Sequence, residues 1–187
     1  PGWRGPQGVG TTAETGFPIK WSATEKIRWK APLPGPGNST PVVWENRIFV
    51  TCASTDGKQR SLICFDRENG KQRWQKTVTF PTTEVTHKTN PQCASSPVTD
   101  GTQVVAWFGS AGLYAYDMDG KMLWKRDLGK FEHIWGTASS PIIFEDLVIA
   151  NCGPGLRAFW IALNKQTGDE VWRWEPPEAK SNKLDEF

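Results

Sequence analysis

The chain has 187 residues and a hydrophobic content of 37%, which is enough apolar material for a packed core. Its 22 basic and 20 acidic residues alternate along the sequence and leave a net charge of +2, so no clustered basic surface predicts nucleic-acid binding. No apolar run approaches the roughly 18 residues that a membrane-spanning helix requires, and the first six residues lack a signal-peptide pattern. We therefore predict neither a nucleic-acid partner nor a membrane span.

Tryptophan is unusually frequent, with 11 residues beside 18 glycines and 14 prolines. Such a density favours a repeated structural cause, and internal repeats are present. Four tryptophans recur at intervals of 45, 50 and 48 residues, namely Trp29, Trp74, Trp124 and Trp172. This interval is typical of a blade, a four-stranded antiparallel sheet of a β-propeller.

The predicted elements follow this repeat in chain order. Residues 1–25 form an N-terminal extension, and residues 26–31 form one outer strand of a closing blade. Three complete blades follow, and a tail then leads towards a next blade. The blades are predicted at 39–77, 95–127 and 139–175, and the tail at 176–187.

Each repeat has a β pattern. Short runs rich in Val, Ile, Phe and Trp alternate with turn pairs such as Asp100-Gly101, and no window keeps a 3.6-residue period. In the second blade the predicted strands are 96–99, 102–108, 113–117 and 121–126. The sequence therefore predicts an all-β fold of antiparallel propeller blades.

One turn motif recurs with the tryptophans. An Asp or Asn can accept hydrogen bonds from backbone N–H groups of the turn, a Gly supplies a positive φ, and the Trp reaches the neighbouring blade. The turn residues are Asp66, Asp117 and Asn164, followed by Gly70, Gly120 and Gly168. We expect these residues, with the four tryptophans, to dock each blade on the next.

The four cysteines allow three interpretations. Cys52 and Cys64 lie on predicted neighbouring strands, so a disulfide between them is one option, and metal binding or catalysis is another. Cys52 and Cys152 each follow their repeat's proline by 11 residues, which favours an equivalent packing position. We prefer buried free thiols for all four, Cys93 included.

Ser39, Ser95 and Ser139 begin a repeated Ser-Ser/Thr-Pro triplet. A catalytic serine needs one base at one place, whereas these serines occur once in every blade. Their hydroxyls are therefore predicted to satisfy backbone groups at the start of the inner strand.

A candidate partner or ligand face is predicted from His87, Asn90, His133 and Trp135. They lie in two inter-blade connections, 82–92 and 130–137, which share one face of a propeller. Two histidines could bind a metal, but no carboxylate has ligand spacing, so loop packing is the simpler interpretation. Trp135 lies outside the docking series and suits carbohydrate or protein contact, with plugging of the channel as the structural alternative.

The repeated motif resembles the tryptophan-docking motif of the quinoprotein alcohol dehydrogenase-like (PQQ-like repeat) β-propellers, a superfamily that includes pyrroloquinoline quinone (PQQ) dehydrogenases and BamB-like propellers. The resemblance covers about residues 1–175. Four further stretches carry it, namely Trp3-Arg4-Gly5-Pro6, Ser39–Trp44, Phe108–Gly112 and Lys130–Gly136. It implies a periplasmic or secreted protein.

Propellers of this family close with seven or eight blades, so the resemblance implies that this chain is about the N-terminal half of a propeller. The alternative is one protomer of an assembly that closes by association. Either way we expect two unpaired blade faces, which another polypeptide would cover.

Two functions remain open at this point. The first is a non-catalytic scaffold that binds a protein partner, the remaining propeller half, or a carbohydrate. The second is a PQQ-dependent oxidoreductase whose cofactor and catalytic residues lie in a missing C-terminal half. The family's dehydrogenases have adjacent cysteines over the cofactor, and the chain has neither a Cys-Cys pair nor a Cys-x-x-Cys-His haem motif. We therefore predict no cofactor and no catalytic or metal residue within this chain.

Overall fold

The structure, a computed structural model, describes residues 1–5, 7–82, 84–153 and 157–177. These residues form twelve β-strands and one short 3-10 turn. In this described part no helix is long and apolar enough to cross a membrane.

The strands form three sheets of four consecutive strands. Blade 1 contains β1 (Val42–Trp44), β2 (Arg47–Ala53), β3 (Gln59–Asp66) and β4 (Gln72–Thr79). Blade 2 contains β5 (Val98–Thr99), β6 (Gln103–Trp107), β7 (Leu113–Asp117) and β8 (Met122–Arg126), with the 3-10 turn at Gly109–Ala111. Blade 3 contains β9 (Ile142–Phe144), β10 (Leu147–Cys152), β11 (Phe159–Asn164) and β12 (Glu170–Trp174).

All strand pairs are antiparallel, and each strand pairs with its neighbours in sequence. The first hairpins of blades 1 and 3 have two-residue loops, and the first loop residue has the positive φ that such hairpins need: Glu45 (49°) and Glu145 (52°). The loop of blade 2 is longer and contains Gly101, with a φ of 90°. The predicted fold class is therefore confirmed, and the local turn chemistry explains why each sheet is a simple meander.

The core lies between the blades. Phe49 and Leu62 of blade 1 pack in one cluster with Phe108 of blade 2. Leu113 of blade 2 packs in a second cluster with Phe159 of blade 3. Each of these side chains is at most 1% exposed, and burying one contributes about 2 to 3 kcal/mol. Packing between blades therefore stabilises the fold.

Three of the four repeated tryptophans dock on the next blade. Each indole Nε1 donates to a carbonyl oxygen in a turn of that blade: Trp29 to Arg67 (2.8 Å), Trp74 to Met118 (3.0 Å) and Trp124 to Lys165 (2.7 Å). The ring lies against the glycine of the same turn, where an added Cβ would come within 2.5 to 2.9 Å of the indole. These glycines, Gly70, Gly120 and Gly168, have φ between 70° and 84°.

The side chains of Asp66, Asp117 and Asn164 organise the same turns. Each Oδ1 atom accepts two backbone N–H bonds, at distances between 2.8 and 3.2 Å. The docking surface is thus preformed by local hydrogen bonds, and the tryptophan of the preceding repeat packs on it.

Residues 26–31, which we predicted as an outer strand, do not form a strand in the structure. A strand needs a neighbour for its backbone hydrogen bonds, and no strand among the described residues pairs with this segment. Trp29 nevertheless docks on blade 1, and Ala31 packs against the outward face of that blade beside Val50 and Ile63.

The outward face of blade 3 is apolar and open. Trp172 is 40% exposed, whereas the equivalent Trp124, which docks on blade 3, is 7% exposed. Ile142, Phe144 and Trp160 of the same face are between 41% and 59% exposed. Most of the tail predicted at 176–187 lies outside the described residues.

Candidate functional site

The candidate face is built from the connection between blades 1 and 2 and the connection between blades 2 and 3. The side chain of Asn90 donates from Nδ2 to the backbone oxygen of Trp135 at 2.5 Å. The rings of His87 and Trp135 lie 4.7 Å apart between centroids and are inclined at 43°. The structure therefore brings three of the four predicted residues of this face into contact.

His133 lies on the inner side of the same loop. Its Nδ1 atom accepts the backbone N–H of Trp135 at 3.3 Å, and its backbone oxygen accepts the N–H of Gly136 at 2.9 Å. His133 thus holds the turn that presents Trp135, whose side chain is 49% exposed.

The partner turn is equally ordered. The backbone N–H of Asn90 donates to the oxygen of His87 at 2.8 Å, and the Nδ1 of His87 lies 2.7 Å from the hydroxyl of Thr89. Thr86 packs so closely beneath Gly136 that a Cβ added there would lie 2.9 Å from its methyl group. The two connections therefore form one packed surface.

A buried ion pair lies under this surface. Arg60 of β3 is 1% exposed and pairs with Glu84 at the start of the first connection. The Arg60 Nε donates to the oxygen of Gly57 at 3.1 Å, and its Nη1 donates to the oxygen of Phe108 in blade 2. The guanidinium also lies 5.1 Å from the ring centroid of Phe80. Arg60 thus joins blade 1, blade 2 and the connection between them.

Ser110 extends the network to the second connection. Its backbone N–H donates to Glu84 at 3.2 Å, and its hydroxyl donates to the same carboxylate. The hydroxyl oxygen of Ser110 in turn accepts a hydrogen bond from the backbone N–H of Phe131 at 2.8 Å. Sequence reasoning missed this network; an arginine close to the apolar run Leu62–Phe65 of the same strand was the available signal.

Between the two connections is a cavity of about 20 Å³. Its lining includes Arg60, Glu84, Cys93 and His133. That volume suits a single water molecule hydrogen-bonded to polar groups, whereas organic ligands occupy about 300 to 1,000 Å³. A tricyclic quinone does not fit this cavity. Among the described residues, no group of three or more His, Cys, Asp and Glu side chains could hold a metal ion.

The four cysteines are buried free thiols. A Cys52–Cys64 disulfide is ruled out by register, because Cys52 pairs with Ser61 while Cys64 pairs with Phe49, on opposite faces of the sheet. Burial raises the pKa of Cys64 to about 11. Burial likewise raises the pKa of Cys93 and of Cys152 to about 12. These protonated thiols are poor nucleophiles and poor metal ligands.

The repeated serines satisfy backbone groups, as predicted, but not all at the predicted position. The Ser39 hydroxyl bonds to the backbone N and O atoms of Thr51. In the next two blades the second hydroxyl of the triplet bonds instead: Ser96 accepts from Thr40 N at 2.8 Å, and Ser140 accepts from Ser96 N at 2.9 Å. The second position faces the preceding blade, so these hydroxyls link the inner strands of successive blades.

Comparison with solved structures supports the same fold. The chain aligns with a europium-containing methanol dehydrogenase at 17% identity and a TM-score of 0.55, covering 78% of this chain and 26% of that one. It aligns with BamB from Moraxella catarrhalis at 16% identity and a TM-score of 0.52, covering 79% of this chain and 41% of that one. It aligns with the quinohemoprotein alcohol dehydrogenase from Comamonas testosteroni at 19% identity and a TM-score of 0.50, covering 75% of this chain and 21% of that one. The chain thus spans less than half the length of each of these proteins.

No curated protein matches the sequence significantly. A family model does match, over residues 9–150 and 54–185, and its description is "Outer membrane protein assembly factor BamB". The two matches share residues 54–150, about two repeats, and together reach from residue 9 in the N-terminal extension to residue 185 in the tail. The chain therefore belongs to this BamB-like, PQQ-like-repeat propeller family.

Proposed function

We propose that the chain is part of a non-catalytic, extracytoplasmic propeller scaffold that binds a protein partner through His87, Asn90, His133 and Trp135. The observation that carries the proposal is the state of Trp135, which is 49% exposed yet held by neighbouring side chains. Holding an exposed indole in one position by these contacts is useful if the indole binds a partner.

The physical reason is preorganisation. Side chains that are ordered before binding lose little conformational entropy in the complex, and tryptophan is enriched among the residues that dominate interface energies. Val85 and Ile134, in the same two connections, are 72% and 56% exposed and extend the apolar area. The same indole could stack on a sugar ring, so a carbohydrate partner is the competing outcome of the test below.

The chemistry of the face favours binding over catalysis. It offers two imidazoles and one amide, and the carboxylate beside the cavity, Glu84, is engaged by Arg60 and Ser110. That carboxylate is therefore not free to act as a general base. The extracytoplasmic location is proposed from the description of the matching family.

We further propose that these residues hold no PQQ, since the cavity of about 20 Å³ is too small for it and the sequence has no adjacent cysteine pair. Titration of the protein with PQQ and calcium tests this point. We expect no saturable change in the cofactor's absorbance, and stoichiometric binding at this cavity would favour the oxidoreductase alternative.

The open face of blade 3 is proposed to be covered by another blade, from the same or another polypeptide. A bare apolar face containing Trp172 and Phe144 promotes association. We expect light scattering to show self-association of the chain alone, and a stable, non-aggregating monomer would contradict the proposal.

The decisive experiment is the double replacement His133→Ala and Trp135→Ala, followed by partner capture. The matched control is Trp21→Ala, which removes another exposed indole, 66% exposed, outside the face. We expect the double variant to lose the partner and the control to retain it, both with unchanged circular dichroism. Equal capture by the double variant and the original protein would exclude this face. Competition by oligosaccharides alone would assign the face to carbohydrate.

A further inference from the structure

A second surface, separate from the candidate face, lies between the outer strands of blades 2 and 3. It is an open groove of about 500 Å³, within the range of ligand-binding clefts. Blades radiate from a common axis, so their outer strands lie farther apart than their inner strands. The groove borders β8 and β12 and is continuous with the segment Asp127–Gly129.

The groove is positively charged. Four cations line it, against two carboxylates, Asp127 and Glu170. The cations are Lys125, Arg126, Arg157 and Arg173. Among the described residues, no ion pair joins any of these cations to either groove carboxylate. Arg173 pairs with Glu175, which does not line the groove, so among the described residues the charges of the other three cations remain available to an anionic ligand.

Two of the arginines are held in place by contacts that, among the described residues, leave most of their N–H donors without a protein acceptor. The Arg157 Nη1 donates to the backbone oxygen of Lys130 at 3.0 Å, and its guanidinium packs over Gly129. The Arg173 guanidinium lies 3.6 Å from the ring centroid of Phe159, and its Nε is 3.2 Å from the carboxylate of Glu175. A guanidinium has five N–H donors, and these contacts use one on each residue. Two oriented forks therefore face the groove, a geometry suited to carboxylates.

The backbone beside the groove adds a second type of contact. β8 is an edge strand of its sheet among the described residues, pairing only with β7. An extended peptide can add to such an edge through main-chain hydrogen bonds, which a polysaccharide cannot provide.

We propose that this groove, defined by Lys125, Arg126, Arg157 and Arg173, binds an extended acidic peptide segment of a partner protein. Carboxylates of the segment pair with the two arginine forks while its backbone lies along β8. The proposal does not depend on the His87 and Trp135 face, which lies in the inter-blade connections.

Fluorescence anisotropy with a labelled, capped peptide of about ten residues that alternates Glu and Thr tests the proposal. We expect saturable binding that weakens several-fold when ionic strength rises from about 0.05 to about 0.5 M. The peptide with Gln in place of Glu should bind at least about tenfold more weakly. Equal binding of the two peptides would overturn the proposal.

The protein variants locate the site. We expect the double variant Arg157→Gln, Arg173→Gln to bind the peptide about tenfold or more weakly. The matched control is Arg28→Gln with Arg67→Gln, which removes two exposed arginines of another region. It should change the affinity less than about twofold. Because Arg173 packs on Phe159, the single variant Arg157→Gln provides a second test in which the aromatic contact is intact. We expect it to weaken binding about threefold or more, with an unchanged circular dichroism spectrum.

Two results would refute the assignment. Unchanged affinity in both groove variants would show that the peptide binds elsewhere. An acidic oligosaccharide that binds more tightly than the peptide, with the same loss in the groove variants, would exclude a peptide as the occupant. Failure of the His133→Ala and Trp135→Ala experiment would leave these measurements unaffected, since that face is not part of the groove.

Discussion

Replacing Gly168 with alanine tests whether Trp124 fastens blade 2 to blade 3. Gly168 has a φ of +76°, where alanine costs about 1 to 2 kcal/mol. The added Cβ would lie 2.7 Å from Trp124 Cδ2, so the indole must move. That movement breaks its 2.7 Å hydrogen bond to the oxygen of Lys165, worth about 1 kcal/mol, and loosens its packing. We expect the free energy of unfolding to fall by about 3 kcal/mol.

The same substitution in a Trp124→Ala background isolates the contact. Trp124→Ala alone should cost about 3 to 5 kcal/mol, because the indole is 7% exposed. With the indole gone, Gly168→Ala should cost only the backbone strain, so the double-mutant cycle should give a coupling of about 1 to 2 kcal/mol. Urea unfolding followed by far-ultraviolet circular dichroism measures all four proteins. Additive costs, within about 0.5 kcal/mol, would refute docking through this glycine.

Three further predictions concern buried and charged groups. Glu84→Gln leaves Arg60 buried without its counter-ion and should lower the free energy of unfolding by about 3 to 5 kcal/mol. Glu132→Gln, in an exposed ion pair, should have a much smaller effect, and equal effects would contradict the buried network. A hydrogen bond from Arg73 lowers the pKa of Asp66 below its ordinary value of 3.8, so this stabilisation is present above that value and is lost as pH falls through the lowered pKa. Urea unfolding at neutral and acidic pH should therefore show a smaller acid-induced loss of stability in Arg73→Gln than in the original protein, and an equal loss would contradict the assignment. The four thiols should resist iodoacetamide in the folded protein near pH 8 and react after unfolding, as counted by mass spectrometry; rapid labelling of the folded protein would contradict their burial.

The blades were predictable because their information is local. Strand runs, turn glycines and the interval between tryptophans occur within each repeat, so the sequence indicates β7 and β8 to within a residue of their observed bounds. The prediction of a strand at 26–31 was wrong because its information is not local. A strand needs a neighbouring strand, and local β-propensity does not indicate whether one is present.

Contacts between blades depended on the tertiary structure. The sequence indicated two connections rich in imidazole and aromatic groups, but the contact between the rings of His87 and Trp135 depends on how the three blades are arranged. The Arg60–Glu84 pair joins a strand to a connection 24 positions later, and no periodicity links the two residues.

The amino-acid sequence by itself determined the blade type, the number of complete blades in this chain and the tryptophan–glycine docking pairs. These features repeat, and each rests on short-range turn chemistry and strand periodicity. Only the tertiary structure decided which hydroxyl of each Ser-Ser/Thr-Pro triplet bridges two blades, and that Arg157 and Arg173 border one groove. Both depend on the separation and angle between neighbouring sheets, which are set by the side chains packed between them.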